Sequence, residues 1–238
     1  MPGTARSDTR VRRFPNAAAL TEALAADIAA SLEDGLRAGR SASLVVAGGR
    51  SPVALFEKLS GIALDWRRVW VTLTDERWIE ATASDSNERL VREHLLRNAA
   101  AKANFVGLKC GAADPAGGAA SSWSAIAQLP RPFDYVLLGM GDDGHTASLF
   151  PDSPELGVAL DPLQPPGCVG MIAPVPPRAR LSLNLSALLD SRRIALLIVG
   201  SSKWATYERA AMSGPVAEMP VRALLRQHRV PVAVYWAP

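Results

Sequence analysis

Short apolar segments that break off into glycine-rich or charged turns, each leading into helical sequence, constrain this chain more than any other feature. Residues 43–47 (SLVVA) run into GGRSP, 69–74 (VWVTLT) into DERW, 133–138 (FDYVLL) into GMGDDGHTAS, and 194–199 (IALLIV) into GSSK. Segments this short and this uniformly apolar are strands covered on both sides, and helical sequence between them makes the sheet parallel. Over 16–38, Leu20, Leu24, Ile28, Leu32 and Leu36 recur every fourth residue and form one apolar face, with Asn16 placed to cap it. Helices are also predicted from Ser51-Pro52 to about residue 59, over 87–97 and over 202–212, with a closing strand at 232–236. Residues 151–179 hold eight prolines and read as a long connection with one short strand at 169–173, and 181–185 is strand-like. The expectation is an α/β fold, a single domain over residues 1–238, built on a mostly parallel twisted sheet with helices on both faces.

Composition excludes several classes. The 238 residues, 48% apolar and 21% charged, allow one sizeable core and exclude wholesale disorder. No stretch reaches the ~18 consecutive apolar residues of a membrane span, and the charged N-terminus lacks the apolar segment of a signal peptide. Net charge is +3, with 26 basic residues interspersed among 23 acidic ones. Nucleic acid demands a basic stripe, so a small anionic ligand fits better. Cys110 and Cys168 form neither a CxxC nor a metal-ligand spacing, which makes a reducing cytoplasm the expected compartment. The first 13 residues are expected to be flexible, and the low-complexity stretch 111–122 (GAADPAGGAASS) to form a loose helix or a loop.

In an open parallel sheet, ligands bind beyond the C-terminal ends of the strands, where the four turns converge. In Ala47-Gly48-Gly49-Arg50-Ser51-Pro52, the glycines permit a tight turn and close backbone approach. Ser51 is placed to cap and Pro52 to open a helix whose N-terminus suits a phosphate; the plainer reading is a strand-to-helix turn. The GK[ST] ending of a P-loop is absent. Gly139-Met140-Gly141-Asp142-Asp143-Gly144 fits GxGxxG, but two carboxylates inside the loop would repel a pyrophosphate, and a Pro-rich stretch stands where the next acidic strand end belongs. His145 follows this loop beside Asp142 and Asp143, a setting for general base chemistry or for a histidine that caps the turn. One histidine and two adjacent aspartates make a poor ligand set, so no metal is expected. His94 and His228 lie in charged segments and are expected to be solvated. Among four lysines and 22 arginines, Lys203 opens a helix after the most apolar strand, Arg77 follows the second strand, and Arg180 precedes LSL. Singly each reads as a surface charge; together they form a clamp for a phosphate dianion.

These blocks, in this order, resemble the 6-phosphogluconolactonase family, within the wider group that includes glucosamine-6-phosphate deaminase and ribose-5-phosphate isomerase. The likeness runs from about residue 14 to 236 and rests on AGGRSP, on DERW with Asp85-Ser86-Asn87, on GMGDDGHTASLFP as its most specific block, on Arg180-Leu181-Ser182-Leu183, and on Gly200-Ser201-Ser202-Lys203. The resemblance implies a deaminase/isomerase-like, modified Rossmann-type fold. It implies hydrolysis of 6-phospho-D-glucono-1,5-lactone to 6-phosphogluconate in the oxidative pentose phosphate pathway, with no redox cofactor and no obligatory metal. His145 then matches the general base, and Asp143 orients either the turn or the imidazole. Arg77, Arg180 and Lys203 match the cations around the 6-phosphate, Gly48, Gly49 and Ser51 match its loop, and Asp75 falls near the sugar end.

A departure and a comparison with the deaminase bear on this. Family members often carry Ser-Gly-Gly-Ser-Thr-Pro in the first loop, where this chain has Ala47, Arg50 and Ser51 at the first, fourth and fifth places. Arg50 faces either the phosphate or solvent and stays outside the core assignment. Aligning on His145 puts Phe150 where the deaminase has the glutamate that assists ring opening, and a phenylalanine cannot move a proton. The alternatives are a deaminase/isomerase-like enzyme and a non-catalytic sugar-phosphate-binding module.

Overall fold

A computed structural model describes residues 10–238. Seven strands form the main sheet: β1 (Arg10–Arg13), β2 (Ala42–Val46), β3 (Val69–Leu73), β5 (Asn104–Val106), β6 (Tyr135–Gly139), β9 (Ile194–Val199) and β10 (Val232–Ala237). Their order is β1-β10-β9-β6-β2-β3-β5, and every pairing is parallel. A second sheet, β4 (Asp75–Arg77), β8 (Ala179–Leu183) and β7 (Cys168–Ile172), is antiparallel, in the order β4-β8-β7. The helices are α1 (Ala17–Arg37), α2 (Val53–Ser60), α3 (Asn87–His94), α4 (Pro115–Ile126), α5 (Leu156–Leu160), α6 (Leu185–Leu189), α7 (Ser201–Ala211) and α8 (Val221–Arg226). The mostly parallel α/β sheet is as expected; the small antiparallel sheet is an addition.

Local chemistry accounts for the main elements. The Asn16 side chain accepts from the Ala19 N–H at 2.9 Å, and Leu20, Leu24, Ile28, Leu32 and Leu36 are all buried on one face of α1. Burial of each is worth roughly 1.5–3 kcal/mol relative to exposure. Strand β2 is buried at every residue and lies between β3 and β6. From β2 the chain adds β3 and β5 on one side, then returns to place β6, β9 and β10 on the other. The strand order therefore reverses between β2 and β6, and a crevice opens there at the strands' C-terminal ends.

Three local expectations need correction. Residues 10–13 are not flexible: they form edge strand β1, paired with β10 from Arg10↔Ala233 to Arg13↔Trp236. Arg12 donates to the Tyr235 hydroxyl at 2.5 Å, and Arg13 lies over the Trp204 ring at 4.5 Å, so both guanidinium groups of the segment engage aromatic side chains. Residues 1–9 of the predicted flexible segment lie outside the described residues. Second, much of the glycine-rich 111–122 stretch belongs to the regular helix α4, capped by Asp114 through the Gly117 N–H at 2.8 Å and started by Pro115. It packs on β7 so closely that a Cβ on Gly170 would fall 2.9 Å from the Ala116 nitrogen. Third, Ser51 does not cap α2, which starts at Val53 without a side-chain cap. His94 also departs from a purely solvated role, since its Nδ1 lies 3.0 Å from Glu57 Oε1.

Candidate active site

The crevice between the ends of β2 and β6 is a cleft of about 240 Å³. The turn after β2 contributes Gly48, Gly49, Arg50 and Ser51; β4 and the start of α3 contribute Asp75, Arg77 and Asn87; the loop after β6 contributes Gly141, His145 and Ala147; and α7 contributes Lys203. Seven of the residues singled out in the sequence thus share one cleft: Gly48, Gly49, Ser51, Asp75, Arg77, His145 and Lys203. Asp143 and Arg180 stand outside its wall.

His145 is held from several sides. Its Nδ1 lies 2.5 Å from Asp143 Oδ1, and its backbone N–H donates to the same oxygen at 3.1 Å. The Phe150 ring tilts against the imidazole with centroids 4.5 Å apart. Gly141 lies so near that a Cβ there would fall 2.1 Å from Cε1. A carboxylate only accepts, so Nδ1 is the protonated nitrogen of the neutral ring and Nε2 keeps its lone pair. Burial pushes the Asp143 carboxyl up, but the hydrogen bond and charge of His145 and the backbone N–H groups outweigh it and hold the group below the usual carboxylate range. Two residues on, Ala147 adopts φ 49°, the left-handed region, on the cleft wall. That conformation costs an L-residue about 1–2 kcal/mol and marks the loop as over-determined by its surroundings.

Asp75 and Glu76 leave the main sheet together, immediately after Thr74. Asp75 turns to the cleft, where Thr74 Oγ1 donates to one oxygen at 2.8 Å and Ser148 Oγ to the other at 2.6 Å. Ser148 belongs to the His145 loop, so this carboxylate ties two strand-end loops together. Glu76 turns inward and accepts from the N–H groups of Arg77, Asn87 and Glu88 and from the Ser86 hydroxyl. Burial raises its pKa, and those four hydrogen bonds oppose the rise. Its carboxylate sits at the N-terminus of α3, where the helix dipole favours negative charge.

The cations divide. Lys203 lines the cleft from the first turn of α7, and no carboxylate pairs with it among the described residues. Arg77 lines the cleft from β4 and faces Arg180 across the β4–β8 ladder. Arg180 is 6% exposed, with its Nε unpartnered. Burial lowers its pKa, the neighbouring Arg77 adds to the drop, and Asp75, Glu76 and Asp85 counter it. It sits one strand behind Arg77. Sequence reasoning left out Arg50 and Asn87, both on the cleft wall. The signal for Asn87 was present in Asp85-Ser86-Asn87, but a polar residue at a helix start reads first as a cap.

A cleft at the topological switch point, with a histidine–carboxylate pair facing a glycine turn and a lysine, defines an α/β enzyme of the phosphosugar-handling kind. Residues 15–236 match the family model described as glucosamine-6-phosphate isomerases/6-phosphogluconolactonase, and the chain belongs to that family. It is 46% identical over 223 residues to a 6-phosphogluconolactonase of Pseudomonas aeruginosa, covering 94% of this chain and 92% of the relative. A 6-phosphogluconolactonase of Rhizobium meliloti is 45% identical over 225 residues, covering 94% and 97%. The crystal structure of a 6-phosphogluconolactonase from Shewanella baltica superposes with a TM-score of 0.93 at 46% identity, over 97% of this chain and 98% of that one. A monomeric glucosamine-6-phosphate deaminase, at 17% identity and a TM-score of 0.76 over 94% and 96%, shares the fold.

Proposed function

We propose that His145 is the general base with which this chain, an enzyme of the 6-phosphogluconolactonase type, hydrolyses 6-phospho-D-glucono-1,5-lactone to 6-phosphogluconate in the pentose phosphate pathway. The observation that carries the reading is His145 on a cleft shared with the Gly48-Gly49 turn and Lys203, its Nδ1 held 2.5 Å from Asp143 Oδ1 outside the wall. With Nδ1 engaged, Nε2 takes a proton from water as the water oxygen adds to the C1 carbonyl carbon. The C1–ring-oxygen bond then breaks, and the imidazolium returns the proton to the departing oxygen, which becomes the C5 hydroxyl. Asp143 stabilises the imidazolium between these steps. The Gly48-Gly49 turn, Ser51, Lys203 and Arg77 hold the 6-phosphate, Arg180, opposite Arg77 on β8, adds positive charge nearby, and Asp75 lies at the sugar end.

Phe150 favours lactone hydrolysis over amino-sugar deamination. It is 6% exposed and packed on the His145 ring, so the place of a further proton-transfer group is filled by a hydrocarbon face. We read residues 1–238 as one catalytic unit that acts on a small molecule in the cytoplasm; no helix among the described residues is long and apolar enough to cross a membrane. The test is hydrolysis of fresh lactone coupled to 6-phosphogluconate dehydrogenase, corrected for the spontaneous rate, with wild type beside His145→Ala. Turnover by wild type and a loss of at least a hundredfold in the variant are expected. A variant as fast as wild type would discard His145 as the base.

A further inference from the structure

Asn87 is the first residue of α3, is 4% exposed, and reaches the cleft wall. Its backbone N–H donates to Glu76 Oε1 at 2.8 Å. Its side-chain Nδ2 donates to the main-chain oxygen of Asp75, also at 2.8 Å. A main-chain oxygen can only accept, so the amide orientation is determined and Oδ1 must point the other way. That way lies Gly48: a Cβ on residue 48 would fall 1.8 Å from Oδ1. The absence of a side chain there lets the amide oxygen rest over the phosphate-loop backbone. No donor among the described residues reaches Oδ1; the side-chain hydrogen bond of Asn87 runs from Nδ2.

The surroundings make this acceptor matter. Lys203, Arg77 and Arg50 supply donors to the cleft, and the Asp75 carboxylate already accepts a hydroxyl on each oxygen. A sugar ring carries several hydroxyl groups, and each one buried in the cleft needs an acceptor. We propose that Asn87 is a specificity residue: its Oδ1 accepts a hydrogen bond from one ring hydroxyl of the bound phosphosugar lactone, while Glu76 and the Asp75 main chain fix the amide for that contact. Glu76 is then a positioning residue, acting through the backbone of Asn87. The inference rests on the lactonase reading of the cleft and adds to it the group that reads the sugar rather than the phosphate.

The experiment is a cycle between residue and hydroxyl. Values of kcat/KM are measured for 6-phosphogluconolactone and its 2-, 3- and 4-deoxy counterparts, on wild type and Asn87→Ala, with inorganic phosphate affinity measured on both. In wild type, one deoxy lactone is expected to lose about tenfold in kcat/KM. In Asn87→Ala, the parent lactone loses about the same factor, that one deoxy penalty vanishes, the other two persist, and phosphate binds as in wild type. A merely structural role would slow all four lactones equally and leave the pattern of penalties intact, which overturns the assignment. So would a wild type for which no deoxygenation costs more than about twofold, a measurement that needs no variant. If the alanine variant does not fold, Asn87→Ser completes the cycle with a side chain too short to reach. A wild type that fails to hydrolyse the parent lactone would overturn the lactonase reading itself, and the Asn87 contact with it.

Discussion

Replacing Gly48 by alanine tests how tightly the Gly48-Gly49 turn is locked to the start of α3. A Cβ at this position would fall 1.8 Å from Asn87 Oδ1, 2.2 Å from its Cγ and 2.7 Å from Nδ2. These are contacts with the terminal amide of Asn87, a group held in place rather than free to move. The amide cannot swing aside freely, because Nδ2 is bonded to the Asp75 oxygen and the residue is 4% exposed. If the amide yields, the Asn87–Asp75 hydrogen bond is lost, at about 1 kcal/mol, and overpacking adds about 1–3 kcal/mol. The sum, about 2–4 kcal/mol, corresponds to a melting temperature lowered by roughly 5–15 °C for a chain of this size. Gly49→Ala is the control next door. Its φ is +91°, but no atom lies within 4 Å of the added Cβ, so only backbone strain of about 1–2 kcal/mol is expected there. Urea unfolding, with unchanged slope, should rank Gly48→Ala below Gly49→Ala and both below wild type. The coupled lactonase assay should show the larger loss of kcat/KM for Gly48→Ala, since the collision displaces the turn proposed to hold the phosphate. A Gly48→Ala protein with wild-type stability and wild-type turnover would refute the reasoning, because it would mean that the turn and the helix start are not in contact in solution.

Asp143→Asn keeps the size of the side chain but removes its charge, so kcat is expected to fall about tenfold, the difference between a charge-assisted and a neutral hydrogen bond. Because the folded carboxyl is held below its ordinary range, its contribution to stability is present above about pH 4 and is lost as pH falls through the depressed value. Urea midpoints of wild type and variant should therefore differ at neutral pH and converge in acid; a constant difference would count against the pairing. Lys203→Ala should weaken binding of 6-phosphogluconate at least tenfold. Its unfolding free energy in urea should stay within about 0.5 kcal/mol of wild type, since the ammonium has no carboxylate partner to lose among the described residues. Calorimetric titration showing undiminished affinity would remove Lys203 from the phosphate site.

Much of this protein follows from local sequence. The every-fourth-residue stripe of α1, the uninterrupted apolar runs of β2, β6 and β9, and the capping signal at Asn16 act over a few neighbours and report on burial directly. The His145–Asp143 pair was legible for the same reason: a carboxylate two residues before a histidine, in a turn made tight by Gly141 and Gly144, reaches the ring without help from the rest of the chain. The convergence of the four turns was legible because parallel strands point their C-terminal ends one way. Tertiary structure decided what depends on partners far along the chain. Residues 10–13 became a strand because β10, more than two hundred residues later, offered an open edge and aromatic rings for the arginines. Arg180 was placed behind Arg77, off the cleft wall, by the antiparallel register of β4 with β8. Asn87 came to rest on Gly48 because Glu76, buried after the chain leaves the main sheet at Thr74, draws the start of α3 onto the Gly48-Gly49 turn. Periodicity and turn chemistry encode which residues are buried and which strand ends carry the site; the face a side chain turns to the substrate is set by packing and register between segments that the sequence keeps apart.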